Sequence, residues 1–240
     1  MQSYDPRFPV RRLNRLAREL NCRSYLEIGV NTGVTLMNVA VEQRTGVDPC
    51  FGFNWEEVDG KDGVDLHACT SDDFFIGLDK SIQYDLILID GLHTFEQTYR
   101  DILNAIKHSH SRTVIAVDDT IPCDVFSTCR SMEEALMMRR EITDSNNPRW
   151  HGDTYRVIPL LTLFNPNLSL LTLIDNGNPW SLLWRPGIPT LRREHEMLQA
   201  LEAIQNLAAA DYLWLVRNLN LFSPVGEDEG ISIVIESIRA

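Results

Sequence analysis

Two acidic strand ends are the residues of this sequence best suited to do chemistry. Residues 84–93 read YDLILIDGLH and residues 113–120 read TVIAVDDT, so each apolar, β-branched run stops at aspartate. Such runs are typical of strands that are buried on both faces of a parallel sheet. Because the carboxyl ends of parallel strands form the ligand crevice, we expect Asp90, Asp118 and Asp119 to converge there.

Three neighbouring carboxylates repel one another, and they should not all stay ionised without compensation. Mg²⁺ is a natural compensation because it takes oxygen ligands and often only a few of them from protein. The sequence therefore predicts a metal site formed by Asp90, Asp118 and Asp119. A competing interpretation treats these residues as ordinary polar strand ends, with Asp119 capping the following helix.

His93 follows the first acidic strand end and is the candidate general base. An unperturbed histidine titrates at roughly pH 6.5, which suits it to take a proton from a hydroxyl group. The competing interpretation is a histidine at a helix N-terminus that bonds to the backbone. His151 is a weaker candidate for the same role.

The composition favours one α/β domain with a full hydrophobic core. The chain has 240 residues, of which 44% are hydrophobic, and we interpret residues 1–240 as one domain. Within it we expect a helical lead-in over residues 1–22, a core over residues 23–185, and a helical extension with a tail over residues 186–240. The 34 acidic residues outnumber the 22 basic ones, so we expect neither a nucleic-acid nor an anionic membrane partner.

The cysteines and the N-terminal ten residues indicate the cellular compartment in which the protein is expected. The five cysteines form no Cys-x-x-Cys pair, which is typical of reduced thiols in a cytosolic protein. Residues 1–10 lack the apolar region of a secretory signal, and no apolar run reaches the length of about 18–20 residues that spans a bilayer. We therefore expect a cytoplasmic protein.

Strand and helix signals alternate up to about residue 120, which predicts a doubly wound, mostly parallel α/β sheet. Two further strand-like runs, residues 168–173 and 181–184, flank the turn-rich sequence DNGNP. Short turn-rich connections join antiparallel strands, so we expect a C-terminal antiparallel hairpin and seven strands in all.

Several local features outside the sheet are also predicted. Residues 31–43 read as a helix, and Ser71 is the expected N-cap of a short helix. The turn-forming residues 143–153 predict an exposed loop, which is a candidate lid over the acceptor. Residues 190–218 read as mostly helical, whereas the alternating tail at residues 231–238 reads as a late strand or an oligomer contact.

The first strand-to-helix turn carries a candidate cofactor site. Residues 24–35 read SYLEIGVNTGVT, with Glu27, Gly29 and Gly33 around the turn. The spacing matches neither the Gly-x-Gly-x-x-Gly of dinucleotide enzymes nor a phosphate loop, and Glu27 suits a cationic ligand. Asp48 ends the second strand about 20 residues later, where a carboxylate can bind ribose hydroxyls, so a nucleoside ligand is expected.

These motifs resemble those of class I S-adenosylmethionine-dependent methyltransferases over roughly residues 20–160. YLEIGVNTG resembles the first motif of that superfamily, GVDP resembles its acidic second motif, and ACTSDDFF resembles the segment that borders the adenine. The run DLILIDGLHTFEQTYRDI is similar to a narrower group of small-molecule O-methyltransferases. That group includes metal-dependent enzymes that act on macrolide sugars and antibiotic intermediates.

The resemblance implies a role for each matching residue. Glu27, Gly29 and Gly33 would shape the pocket for the methionine part of S-adenosylmethionine. The metal-dependent relatives carry Glu-Asp where this chain has Asp118 and Asp119, and the shorter aspartate would lose its metal contact or make it through water. The resemblance implies that the cofactor is contacted by Glu27, Gly29, Gly33, Asp48, Ser71, Asp72 and Asp90. It implies that Mg²⁺ is held by Asp90, Asp118 and Asp119. It also implies that His93 is the general base.

The resemblance implies an enzyme that methylates a hydroxyl group of a small molecule, such as a sugar or a natural-product intermediate, with help from Mg²⁺. One alternative keeps the cofactor and uses the acidic cluster, without metal, to bind an amine or polyol acceptor. A second alternative is a non-catalytic assembly module on the same fold. The glycine spacing disfavours an NAD-dependent dehydrogenase. The helical extension and the tail are candidates for the contact face of a homo-oligomer.

Overall fold

One eight-stranded sheet organises the protein, and the computed structural model describes residues 7–165, 167–186 and 211–240 of it. The strands are β1 (Ser24–Ile28), β2 (Gln43–Val47), β3 (Val64–His67), β4 (Tyr84–Ile89), β5 (Ser109–Val117), β6 (Ser169–Leu173), β7 (Trp180–Trp184) and β8 (Pro224–Val225). The helices are α1 (Phe8–Leu20), α2 (Val34–Asn38), α3 (Ser71–Gly77), α4 (Phe95–Lys107), α5 (Met132–Thr143), α6 (Val157–Phe164), α7 (Tyr212–Arg217) and α8 (Glu227–Arg239).

The strand order is β3-β2-β1-β4-β5-β7-β6-β8. The first five strands in this order run parallel, and β7 lies antiparallel between β5 and β6. The doubly wound, mostly parallel sheet with an antiparallel C-terminal hairpin is therefore confirmed. The sheet has one strand more than predicted, because the two-residue β8 pairs with the outer edge of β6.

The strand register brings the chemistry-bearing residues together. Ile28 of β1 pairs with Ile89 of β4, and Ile89 pairs with Val117 of β5, so the three carboxyl ends are level. Past these ends, the Asp90 N–H donates to the Ile28 carbonyl over 2.8 Å, and the Asp118 N–H donates to the Ile89 carbonyl over 3.0 Å. The residues that follow each strand therefore share one edge of the sheet.

Two hydrophobic layers cover the sheet, which explains why its central strands are apolar on both faces. Leu86 and Leu88 of β4 pack in one layer, whereas Ile87 and Ile89 pack in the other, as the two-residue period of a strand requires. Helices α1, α2 and α8 contribute side chains to the first layer. Helices α3, α4 and α6 contribute to the second layer.

Two predicted elements differ in the structure. The helix expected over residues 31–43 is confined to α2 and ends where Val39 turns extended. The tail is not a strand: it forms α8, in which Ile231, Val234 and Ile235 are buried at helical spacing against the sheet. The acidic first turn of α8 favours the helix because negative charges stabilise a helix N-terminus.

The helical segment predicted over residues 190–218 lies only partly within the described residues. Helix α7 confirms the helical prediction for its own residues, and most of the rest of the predicted segment 190–218 lies outside the described residues. No helix within residues 7–165, 167–186 and 211–240 is long and apolar enough to cross a membrane. The single-domain interpretation of the chain stays a prediction.

Candidate active site

A cleft of about 430 Å³ opens at the carboxyl ends of β1, β2 and β4. Four of the predicted cofactor residues, Gly29, Asp48, Ser71 and Asp90, line it, and so does the candidate base His93. The described lining does not include the other three predicted cofactor residues, which are Glu27, Gly33 and Asp72. The cleft also has lining residues that the sequence analysis did not identify: Ile28, Asn31, Val47, Pro49, Thr70, Gly91, Leu92, Gln97 and Asp101.

Gly29 allows the end of β1 to cross closely over the end of β4. Its φ is +88°, which favours glycine, and a Cβ at this position would lie 2.1 Å from the Asp90 carbonyl oxygen. Gly33 is the N-cap of α2, with a φ of +77°, and a Cβ there would meet the ring of Phe53 at 2.9 Å. Gly29 therefore sits in a tight turn and Gly33 in a close approach, as the sequence predicts, and their contact with a cofactor stays a prediction.

Asp48 is held at the mouth of the cleft by backbone amides. Its Oδ2 atom accepts from the N–H of Asn31 over 2.8 Å, and its Oδ1 atom accepts from the N–H of Cys50 over 2.8 Å. Each carboxylate oxygen has a second lone pair, so both can still accept from a ligand hydroxyl. This geometry is compatible with the predicted ribose contact.

Glu27 is almost fully buried on β1. The Tyr25 hydroxyl donates to its Oε2 atom over 2.7 Å. Burial raises the pKa of Glu27 to about 8, and the charge of Asp48 adds to this effect, while the Tyr25 hydrogen bond opposes it. The carboxyl group is therefore mostly protonated at neutral pH. The sequence predicts an anion here, which would suit a cationic ligand, and the structure shows a largely neutral group instead.

The far end of the cleft contains a polar network that the sequence analysis missed. The Gln97 Nε2 atom donates to Ser71 Oγ over 3.1 Å, to Asp101 Oδ1 over 3.0 Å and to Asp72 Oδ1 over 3.3 Å. Burial raises the pKa of Asp101 to about 6. The available signal was the four-residue spacing of Gln97 and Asp101, which puts both on one face of α4.

Ser71 does not cap helix α3 as predicted. Thr70 is the N-cap, since its Oγ1 atom accepts from the N–H of Asp73 over 3.2 Å. Ser71 is instead the first residue of the helix and is free to contact Gln97 and the cleft. Ser71 therefore lines the cleft and does not cap the helix.

Three of the predicted acid and base residues form one cluster. One ligand atom each of Asp90, His93 and Asp119 lies within 4.8 Å of the others. The His93 Nδ1 atom is 3.4 Å from the Asp119 Oδ2 atom. The predicted convergence of strand ends therefore holds for Asp90 and Asp119, and it includes His93.

Asp118 lies outside that cluster of described residues. Its Oδ1 atom accepts from the N–H of Asp119 over 2.6 Å. The interpretation of Asp119 as a helix cap is wrong, because Asp119 has a φ of +60° and the next α-helix, α5, begins with Ser131 as its cap. The two adjacent aspartates thus have different surroundings, which the sequence DD does not reveal.

The acidic side chains have strongly raised pKa values. Burial raises the pKa of Asp90 and Asp119 well above the ordinary value, and the nearby charge of Asp118 raises both further. Burial also raises the pKa of Asp118 to about 6. This repulsion is what the sequence analysis expected, and a bound divalent cation would offset it.

A second histidine, His151, approaches the same carboxylate. It is only 1% exposed, and its Nε2 atom lies 3.5 Å from Asp119 Oδ1. Its buried Nδ1 atom has no hydrogen-bond partner among the described residues. Burial lowers the pKa of both His93 and His151 to about 4, so both imidazoles are neutral at neutral pH.

The predicted exposed loop is exposed only in part. Helix α5 extends to Thr143, and residues 151–153 are buried rather than exposed. The Trp150 ring packs edge-on against His93 at 5.1 Å between centroids, and the Trp150 Nε1 atom donates to the Cys129 carbonyl. A Cβ on Gly152 would lie 1.7 Å from the His93 carbonyl oxygen. The end of this loop therefore packs against His93, and a lid role stays a prediction.

Comparison with known protein families gives one match. Residues 26–120 match a family model described as a methyltransferase domain. This segment runs from β1 through β5 to the acidic strand ends, so it contains the turn at Gly29, Asp48 and the cluster at Asp90 and Asp119. A comparison with curated proteins gave no significant match.

Solved structures with a similar fold are methyltransferases. An O-methyltransferase from Bacillus cereus in complex with S-adenosylhomocysteine has 20% sequence identity and a TM-score of 0.51, over 77% of this chain and 83% of that one. TomG from Streptomyces achromogenes, an O-methyltransferase of tomaymycin synthesis in complex with S-adenosylmethionine, has 16% identity and a TM-score of 0.54, over 77% and 82%. PaMTH1 from Podospora anserina, bound to S-adenosylhomocysteine, has 12% identity and a TM-score of 0.52, over 75% and 79%.

At these identities the structural likeness establishes the fold alone. The family match covers the part of the chain that builds the cleft, and the strand order places that part in a sheet of the methyltransferase type. Residues 26–120 are therefore similar to a methyltransferase domain, and the chain shares its fold with solved methyltransferases.

Proposed function

We propose that this protein transfers the methyl group of S-adenosylmethionine to a hydroxyl group of a small molecule. The observation that carries the proposal is the continuity of one cleft, which extends from the fixed carboxylate of Asp48 to His93, whose Nδ1 atom faces Asp119. A nucleoside cofactor bound along the cleft would point its reactive end at a candidate base. The B. cereus and S. achromogenes neighbours, both O-methyltransferases, support the choice of oxygen as the acceptor atom.

The cofactor contacts that we propose follow the cleft from end to end. Gly29 would allow the methionine part to approach the backbone, and Asp48 would accept from the ribose hydroxyls. Ser71 and Asp72 would lie beside the adenine. Glu27 and Gly33 would act from outside the described lining, by supporting the turn that shapes the methionine pocket.

His93 is the proposed general base. The methyl group on a sulfonium is already activated, so the protein has mainly to orient the acceptor and remove its proton. His93 is neutral at neutral pH because burial lowers its pKa, and it can therefore accept that proton. Asp119, 3.4 Å from Nδ1, would fix the ring and stabilise the imidazolium that forms.

A divalent cation fits the same cluster. Asp90 and Asp119 offer carboxylate oxygens that are buried and mutually repelling, and Asp118 would contribute through water. Mg²⁺ held there would act as a Lewis acid that lowers the pKa of the acceptor hydroxyl. A sugar or another hydroxylated natural-product intermediate offers such an oxygen, and we propose that class as acceptor for a cytoplasmic, homo-oligomeric enzyme.

One observation favours a second candidate, a methyltransferase that works without metal. Asp118 lies outside the cluster, and His93 could act as a base with Asp119 as its orienting carboxylate without any metal. In that case Asp90 and Asp119 would bind the acceptor directly through its hydroxyl or amine groups.

The experiment that tests the proposal is a methyl-transfer assay with S-adenosylmethionine labelled on the methyl group. A panel of sugars, phenols and amines would be offered with Mg²⁺ and with excess chelator. Transfer to hydroxylated acceptors that chelator abolishes supports the metal-assisted enzyme, and transfer that chelator leaves unchanged supports the metal-free one. Transfer to amines alone would contradict O-methylation.

A further inference from the structure

The turn between β6 and β7 contacts the centre of the site from outside the segment that matches the methyltransferase family. Residues 175–179 form this turn, and its Asn178 side chain donates from Nδ2 to the Asp119 Oδ1 atom over 3.1 Å. The other oxygen of the same carboxylate, Oδ2, faces His93. Asn178 therefore binds one side of the carboxylate whose other side orients the candidate base.

A buried arginine fixes the turn that carries Asn178. Arg12 of α1 is 0% exposed, and its Nη1 atom donates to the Asn178 carbonyl over 2.7 Å. Its Nη2 atom donates to the Asp175 carbonyl over 2.6 Å, and its Nε atom donates to Glu227 over 2.9 Å. All three donor nitrogens of the guanidinium are thus engaged, two of them with the turn.

Aromatic packing holds the guanidinium in place. Its central carbon lies 4.8 Å from the centre of the Phe8 ring and 5.3 Å from that of the Trp180 ring. Phe8 also packs so closely on the turn that a Cβ on Gly177 would lie 2.3 Å from its ring. The turn is consequently fixed on two sides, which limits where the Asn178 amide can point.

We propose that Asn178 is a positioning residue for catalysis, which holds Asp119 in the rotamer that orients His93, and that Arg12 supports it through the turn. The inference rests on the proposed function only for its kinetic test. A hydrogen bond to one carboxylate oxygen restricts rotation of the whole carboxylate, so its loss would let Asp119 turn away from His93. The N-terminal helix and the hairpin turn would in this way be part of the active-site framework.

The first test reads the His93 ring directly and needs no substrate. Imidazole ¹⁵N–¹H spectra would be recorded for wild type, Asn178→Ala and Asp119→Ala, with His93→Gln to identify the His93 signals. We expect Asn178→Ala to shift the His93 signals in the direction that Asp119→Ala shifts them. The matched control is Asn176→Gly, which removes an exposed side chain from the same turn where φ is +57° and glycine is tolerated. His93 signals that superimpose on wild type in Asn178→Ala would overturn the proposal, whatever the enzyme methylates.

The second test is a kinetic double-mutant cycle between Asn178→Ala and Asp119→Ala. We expect Asn178→Ala to lower kcat by about 10- to 100-fold, as is usual for a residue that supports a catalytic group, with an unchanged dissociation constant for S-adenosylhomocysteine. In the Asp119→Ala background the same substitution should have no further effect. A kcat loss of equal size in both backgrounds, or a parallel loss of cofactor affinity, would show a general structural role and contradict the proposal.

Discussion

The Nδ1 atom of His93 faces the Oδ2 atom of Asp119 at 3.4 Å, although the two residues follow different strands. The distance is slightly longer than a formed hydrogen bond, and such contacts tighten when a substrate binds. Because Nδ1 faces the carboxylate, Nε2 is the ring nitrogen that the proposed mechanism would use to accept the proton. The proposed base and the carboxylate proposed to orient it therefore already face each other in the protein alone.

Removal of the proposed base should affect turnover and leave the cofactor site intact. We expect His93→Ala to lower kcat by about 10²- to 10⁴-fold, which is the usual contribution of general-base catalysis. His110→Ala is the matched control, since that imidazole pairs with Asp85 near the opposite end of the sheet. The measurement is steady-state methyl transfer beside calorimetry with S-adenosylhomocysteine. Near-normal turnover by His93→Ala would rule out the base role.

Neutralisation of the acidic pair should remove any dependence on metal. We expect Asp90→Asn and Asp119→Asn each to abolish stimulation of methyl transfer by Mg²⁺, because each loses a charged oxygen ligand. Asp118→Asn should retain part of the stimulation, since Asp118 lies outside the cluster. Activity would be titrated against Mg²⁺ in metal-depleted buffer. A wild-type enzyme that is equally active in excess chelator would contradict this prediction and favour the metal-free candidate.

Alanine substitutions at Gly29 and Gly60 distinguish the effect of a positive φ from the effect of a steric clash. Both have positive φ, +88° and +71°, but a Cβ on Gly60 would meet nothing within 4 Å. We expect Gly60→Ala to cost about 1 kcal/mol of stability through its backbone conformation and to keep its cofactor affinity. Gly29→Ala should cost more and weaken S-adenosylhomocysteine binding at least about tenfold, because it pushes the ends of β1 and β4 apart. The measurements are the free energy of urea unfolding and calorimetric binding of S-adenosylhomocysteine for the two variants. Equal effects of both substitutions would contradict the close crossing of the ends of β1 and β4 at Gly29.

Glu27 should make the stability of the protein fall as the pH rises towards 8. Its pKa is about 8 in the folded protein and roughly 4.3 when unfolded, so between these values the folded state binds the extra proton. His93 and His151 have the opposite sign, since their folded pKa of about 4 lies below the unfolded value of about 6.5, and their contribution levels off about one pH unit above that unfolded value. Because both histidines are present in wild type and in a Glu27 variant, the difference between the two proteins from about pH 6.5 to 8 reports the Glu27 carboxyl.

The measurement is the free energy of urea unfolding at several pH values in that window. We expect Glu27→Gln to reduce the downward slope by up to about 1.4 kcal/mol per pH unit, the limit for one proton. Glutamine can still accept from the Tyr25 hydroxyl, so the fold should persist. The exposed Glu56→Gln is the control, and a Glu27→Gln slope identical to wild type would contradict the raised pKa.

Much of the fold could be predicted because the sequence patterns are local. The apolar run of β4 has both faces buried, and the short connection before β7 favours a hairpin, so periodicity and turn residues were sufficient. The tail was misread since Ile231, Ile233 and Ile235 alternate like a strand. Two features distinguish the helix that forms from a strand. Val234 is buried three residues after Ile231, which is helical spacing, and the first turn of the segment is acidic.

The site was predictable where it follows strand ends and was not predictable where distant segments meet. Asp90 and Asp119 could be brought together from the parallel register alone. The separation of Asp118 from them depends on the backbone of Asp119, whose positive φ has no signal in the sequence DD. Asn178 reaches the site from a turn 59 residues away, and no spacing rule connects it to Asp119.

The most direct test of the account is a calorimetric titration of S-adenosylhomocysteine into the wild-type protein with Mg²⁺ present, repeated with Asp48→Ala. We predict one site with micromolar affinity for wild type, and binding weaker by about 10- to 100-fold for Asp48→Ala, because a charged acceptor for the ribose hydroxyls is lost. Asp65→Ala, an exposed aspartate on β3, should bind as wild type does. Absence of binding by a wild-type sample that is folded by circular dichroism would contradict the cofactor site and, with it, the proposed methyl transfer.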